Sequence, residues 1–203
     1  MKVIGITGGV GAGKSEVMRL LSEELSDDCF ILIADEAAHR VEKKGEDCYR
    51  QLVELLSEEI LSEDGEIDKK AFSARLFSEP GLRERVNGIV HPAVKRYILS
   101  EIEEKRREGR ARWFFIEAAL LIEDGYESIC DELWYVWASE EVRSKRLMNS
   151  RGYSKEKIDG ILASQNSEET FRKHCRVVIE NNGELAETRK QIEAALVERG
   201  EEG

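Results

Sequence analysis

Residues 8–15 read Gly8-Gly9-Val10-Gly11-Ala12-Gly13-Lys14-Ser15 and stand directly behind the apolar run Val3-Ile4-Gly5-Ile6-Thr7. A polyphosphate is wrapped by successive backbone N–H groups, so side chains have to be missing where the main chain bends around it. Gly8, Gly9, Gly11 and Gly13 meet that need, with Ala12 between the last two. Lys14 is placed to reach the β- and γ-phosphates as a point charge, and Ser15 to put its hydroxyl on Mg²⁺. The helix that starts there aims its positive end at the phosphates. The competing reading is a glycine-rich turn with a stray lysine. Against it stand the strand before the loop and the amphipathic run Val17, Leu20, Leu21, Leu25 after it.

Working outward, a chain of 203 residues with 41% hydrophobic content suits one nucleotide-binding domain carrying insertions. The net charge of −11 argues against a nucleic-acid partner, which needs a basic face to release counterions. Met1-Lys2 leads straight into a strand, with no signal-peptide region and no run long enough to span a bilayer, so no membrane partner and a cytoplasmic location are expected. Cys29, Cys48, Cys130 and Cys175 show no Cys-x-x-Cys spacing, which favours reduced thiols over disulfides or zinc. A monomer is the default for the oligomeric state, which the sequence does not fix.

Five apolar runs predict strands: Val3 to Thr7, Cys29 to Ala34, Trp113 to Glu117, Glu132 to Ala138 and Cys175 to Glu180. They are nearly continuous in hydrophobicity rather than alternating, the mark of strands covered on both faces by helices, so a parallel sheet is expected. Between the second and third runs lies a long helical stretch broken at Glu63-Asp64-Gly65-Glu66 and at Glu79-Pro80-Gly81. A crossover needs only about a dozen residues, so the excess reads as a helical substrate-binding insertion. The resulting layout is a core of 1–35, 111–138 and 175–200, an insertion over 36–110 and a basic excursion over 139–174. The tail from Glu198 to Gly203 reads as an acidic helix end.

No Asn-Lys-x-Asp guanine-reading motif occurs, so phosphoryl transfer is favoured over a GTP switch. The basic excursion carries Arg143, Lys145, Arg146 and Arg151, among others, in a chain otherwise acidic. Positive charge concentrated near a transferring phosphoryl group is the work of a kinase lid, and Arg146 and Arg151 carry that reading. A solvated, salt-bridged helical face remains open. Asp35 follows Phe30-Ile31-Leu32-Ile33-Ala34 at the carboxyl end of a strand, where open α/β sheets place ligands, and can take the proton of an attacking hydroxyl. Read by itself, it is more readily the cap of a helix over 36–43. Glu117 closes its strand as a Walker B acid does and can hold Mg²⁺, or it caps the next segment of chain. Glu123, beyond Leu120-Leu121-Ile122, is a pocket or rim charge.

Four stretches in order carry a family resemblance. They are Ile4 to Ser15; Ala34-Asp35-Glu36-Ala37-Ala38-His39; Phe77-Ser78-Glu79-Pro80 with Asn87-Gly88-Ile89-Val90-His91-Pro92; and Lys145-Arg146-Leu147 through Arg151-Gly152 and Gln165 to Ile179-Glu180-Asn181-Asn182-Gly183. Together they resemble the dephospho-CoA kinase family, which phosphorylates the ribose 3′-hydroxyl of dephospho-CoA with ATP. The resemblance implies a P-loop α/β kinase of the nucleoside-monophosphate-kinase type, with ATP and Mg²⁺ bound along Gly8 to Glu16. It implies Asp35 as the base, His39, His91 and Glu123 on the acceptor side, Arg146 and Arg151 in the lid, and Asn182-Gly183 near the adenine. His91 before Pro92, read by itself, marks the start of a helix.

Departures from the family pattern include Ile33 where a first Asp is usual and Ala119 where a proline is. Glu16 stands where Thr is usual, and its charge must point away from the phosphates or pair with a cation. Two rivals share these features: a P-loop kinase of another small acceptor, such as a nucleotide, nucleoside or sugar, and a low-turnover nucleotide-binding regulator.

Overall fold

The computed structural model describes residues 1–201. Five strands, β1 (Lys2–Thr7), β2 (Cys29–Ile33), β3 (Trp113–Glu117), β4 (Glu132–Trp137) and β5 (Val177–Glu180), lie in one sheet in the order β2-β3-β1-β4-β5. β1 pairs in parallel with β3 on one side and with β4 on the other, and β4 pairs in parallel with β5. The parallel α/β sheet expected from the apolar runs is present, with four strand ends shifted, β1 beginning one residue early at Lys2. Ala34 opens a helix instead of ending β2, and Ala138 precedes a helix cap instead of ending β4. Cys175 closes a helix, its N–H bonding Phe171 O at 2.9 Å, so β5 begins at Val177.

Nine helices occur among the described residues: α1 (Lys14–Leu25), α2 (Ala34–Val41), α3 (Asp47–Leu56), α4 (Lys69–Leu76), α5 (Leu82–Glu108), α6 (Glu140–Arg151), α7 (Lys155–Ala163), α8 (Glu168–His174) and α9 (Leu185–Glu201). The acidic tail is helical to Glu201, and its last residues, 202–203, lie outside the described residues. The chain divides into two compact units, one of Met1–Ile31 with the chain from Lys105 onward, the other Leu32–Glu104.

In the first unit, Ile4 and Ile6 of β1, Phe115 of β3, and Trp134 and Val136 of β4 are fully buried. They pack with Val17, Leu20 and Leu21 of α1 and with Ile192 and Leu196 of α9. Non-alternating strands bury both faces, which is why these runs lacked a polar period. Phe115 meets Trp134 edge-on at 5.9 Å and stacks with Trp113 at 6.1 Å.

In the second unit, Leu52, Leu56, Ile60 and Ile98 are fully buried. Asp68 caps α4, its Oδ1 accepting from the N–H groups of Lys70 at 2.9 Å and Ala71 at 2.7 Å. The break near Gly65 is a turn closed by the bridge between Leu61 and Ile67, and Tyr49 Oη donates to Gly65 O at 2.5 Å. The helix start expected at His91-Pro92 is corrected: α5 runs unbroken through Pro92. An interior proline removes one backbone bond. Val86, Val90, Ala93, Val94, Ile98 and Ile102, buried at helical spacing, hold the helix across that gap.

Candidate active site

β1 is the strand at which the order reverses, with β3 on one side and β4 on the other. In open α/β sheets the crevice at the carboxyl ends beside such a strand receives the ligand. Residues 8–13 leave β1 there and lead into α1, whose first turn has no side-chain cap. Helix N-termini leave unbonded N–H groups that suit an anion.

The loop is tightly sheathed. Gly13 has φ +95°, and a Cβ on it would fall within the Asn181 carboxamide. Gly9 lies under the Arg143 guanidinium, which a Cβ there would push aside. Ala12 N bonds Gly9 O at 3.1 Å, curling the loop. Lys14 Nζ donates to Gly8 O at 2.9 Å and lies 3.9 Å from the Glu117 carboxylate, with both side chains largely buried. Glu117 sits at the carboxyl end of β3, opposite Ile6 in register, so adjacent strands bring cation and carboxylate together.

Two further side chains hold the loop from behind. Asn181, 4% exposed just after β5, donates Nδ2 to Ala12 O at 2.8 Å and accepts from Thr188 Oγ1 at 3.2 Å. Arg146 on α6 donates Nη1 to Ala12 O at 3.0 Å and Nη2 to Asn181 O at 2.8 Å. Three residues earlier on the same helix, Arg143 donates Nε to Val10 O at 2.9 Å, and its Nη2 bonds Gln165 Oε1. Gln165 Oε1 also accepts from Val10 N at 3.3 Å. Burial lowers the pKa of Arg143 from its ordinary value.

Glu16 does not set an unpaired charge beside the loop: Arg19, one turn on, pairs with it at 2.5 Å and holds its carboxyl below the usual range. Ser15 is exposed in the first turn of α1. Arg151 is exposed at the end of α6, its guanidinium 6.0 Å from the Tyr153 ring; Arg143 and Arg146 are the ones that meet the loop. Asn182 Oδ1 accepts from Ser139 N at 2.8 Å, joining the end of β5 to the start of α6, and Gly183 follows it. Glu123 accepts from Asn166 Nδ2 at 2.7 Å.

In the second unit, Asp35 does not cap a helix over 36–43. α2 begins at Ala34 and the residue before it, Ile33, makes no side-chain cap bond, which leaves Asp35 exposed in the first turn. Asp35 and His39 line a cavity of about 530 Å³ with Glu42, Lys43, Lys69 and Phe72. His91 is half-buried inside α5.

Sequence reading assigned no bonding role to Arg143, Gln165 or Asn181. The visible signals were the three-residue spacing of Arg143 and Arg146, which puts them on one helix face, and the place of Gln165 and Asn181 in the family pattern.

Residues 2–187 match the family model described as CoaE, dephospho-CoA kinase. The chain is 36% identical over 193 residues to the dephospho-CoA kinase of Geobacillus kaustophilus, covering 95% of this chain and 94% of that protein. Among solved structures, one from Thermus thermophilus superposes with a TM-score of 0.79 at 31% identity over 97% of both chains. A dephospho-CoA kinase from Campylobacter jejuni superposes at 0.72, covering 99% of this chain and 100% of that one; at 22% identity it speaks to the fold alone.

Proposed function

The chain belongs to the dephospho-CoA kinase family, and we propose that it transfers the terminal phosphoryl group of ATP to the ribose 3′-hydroxyl of dephospho-CoA, giving coenzyme A and ADP. The observation that carries this is the family match over residues 2–187, with the sheathed phosphate loop supplying the chemistry.

The loop fits a polyphosphate because the positions that must lack a side chain do lack one, and Gly8, Gly11 and Gly13 hold the positive φ that the bend requires. Lys14 would turn its ammonium from Gly8 O and Glu117 toward the phosphates, offsetting the charge that develops on transfer. Arg146 holds the loop against Asn181 and adds positive charge behind it. Ser15 and Glu117 are the donors available to Mg²⁺, one hydroxyl and one carboxylate, a set suited to an ion that takes most of its ligands from phosphate and water. Held there, it would supply positive charge to offset the negative charge that develops on the phosphates during transfer.

Asp35 is the proposed base. As the 3′-oxygen bonds the γ-phosphorus and the bond from that phosphorus to the departing ADP oxygen breaks, the hydroxyl proton passes to the Asp35 carboxylate. The cavity that Asp35 borders, with Lys43 and Lys69 as cations and Phe72 as an apolar wall, is the proposed acceptor pocket. His39 lines it too, while His91 supports the same unit from within α5. Glu123, Asn182 and Gly183 keep their proposed substrate- and nucleotide-side roles, and Arg151 is proposed to reach the phosphates from the end of α6.

No helix among the described residues is long and apolar enough to cross a membrane. A cytoplasmic enzyme that acts on a small molecule, without a nucleic-acid or membrane partner, is the reading that the composition supports.

The test is incubation with Mg·ATP and a panel of acceptors, namely dephospho-CoA, nucleotides, nucleosides and sugars, read by mass. A gain of one phosphoryl group by dephospho-CoA alone is expected. Conversion of another acceptor in its place would overturn the substrate, and ATP binding without turnover would point to a regulator.

A further inference from the structure

Val10 is the one loop residue whose side chain exceeds a methyl group, and it lies between Gly9 and Gly11. Both polar groups of its backbone are engaged by side chains. Its N–H donates to Gln165 Oε1 at 3.3 Å, and its carbonyl accepts from Arg143 Nε at 2.9 Å. Arg143 Nη2 then bonds the same Gln165 oxygen, so three groups close a ring of hydrogen bonds. Arg143 comes from α6 and Gln165 from the segment between α7 and α8.

The ring fixes two successive peptide planes, Gly9–Val10 and Val10–Gly11. Glycines flank both, and they are the residues with the most backbone freedom to lose. A phosphate loop that must be ordered by its ligand binds that ligand less tightly than one ordered beforehand. We infer that Arg143 and Gln165 are positioning residues that set the phosphate loop for ATP by locking the Val10 peptide groups. This inference rests on the loop being the ATP site. Arg146 and Asn181 brace Ala12, on the α1 side of the loop, whereas the Arg143–Gln165 ring braces Val10, nearer β1.

The test uses Arg143→Ala, Gln165→Leu and the double variant, with ATP affinity titrated at equilibrium without acceptor and kinetics measured with dephospho-CoA. Each single change is expected to raise the ATP Kd and KM about tenfold, the loss typical of a hydrogen bond to a charged group, while kcat at saturating ATP falls less than about threefold. Because the three bonds form one ring, the double variant is expected to bind ATP no more weakly than the weaker single. Arg143→Lys has one nitrogen for two acceptors and is expected not to restore affinity.

Wild-type ATP affinity in either single variant would overturn the inference. So would losses that multiply in the double variant, or a fall in kcat with ATP affinity intact. If Arg143→Ala does not fold, Gln165→Leu with an unchanged Tm decides the matter. Failure of the wild type to phosphorylate dephospho-CoA would defeat the functional proposal alone, since the titration reads the loop without an acceptor.

Discussion

Asp35 stands exposed in the first turn of α2, where a carboxylate gains from the helix dipole and is open to a hydroxyl. Asp35→Asn keeps shape and removes the proton acceptor, so turnover is expected to fall roughly a hundredfold or more while ATP affinity holds. The comparison is kcat at saturating substrates beside an equilibrium ATP titration; unchanged turnover would reduce Asp35 to a first-turn charge. Lys14→Ala acts differently. It removes the bond to Gly8 O and the cation beside Glu117, so both ATP affinity and rate are expected to drop, the rate roughly a hundredfold. Wild-type ATP affinity in that variant would remove the loop as the phosphate site. At this scale the places of Lys14, Asp35 and Glu117 were legible because each ends or follows a readable strand. Asn181 and Gln165 were visible only as members of the family pattern; their bonds to the loop were not, since an amide does not show its partners until the fold is in place.

At the scale of elements, β1 and β3 were readable almost to the residue, because strands buried on both faces leave continuous apolar runs. Helix limits were less so. α2 starts earlier than its acidic residues suggested, and α5 continues through Pro92 because its buried face outweighs one lost bond. The docking of α9 on β4 was not legible at all. Glu132 and Arg199 lie 3.4 Å apart with side chains only 5% and 6% exposed, and Glu132 also accepts from Trp134 Nε1 at 2.8 Å. Arg199→Ala would leave the buried Glu132 carboxylate with only Trp134 Nε1 and the more exposed Arg176, whose Nε lies 3.8 Å away, so a loss of stability is expected that stays below the roughly 3–5 kcal/mol of a buried pair broken outright. Denaturant unfolding checks this through a lower midpoint at unchanged slope, and a midpoint within error of wild type would show that Glu132 is otherwise compensated.

For the whole molecule, all four cysteines are free thiols. Burial pushes the Cys48 thiol up to about 11 and those of Cys130 and Cys175 up to about 12, and it also raises the less buried Cys29. A thiol reacts as its thiolate, so near pH 8 the native protein is expected to label slowly, Cys29 first, and all four thiols only on unfolding. Fast labelling of Cys130 or Cys175, followed by mass, would reveal local opening of the sheet. The sequence by itself determined the phosphate loop, the strands and the family, because backbone freedom at glycines and continuous burial are properties of neighbouring residues. Only the tertiary structure decided that Arg143, Arg146, Gln165 and Asn181 hold that loop, that Arg19 neutralises Glu16, and that Asp35 borders a cavity. Most of the loop's partners lie more than a hundred residues from it along the chain, and a hydrogen bond depends on where the folded backbone sets both ends.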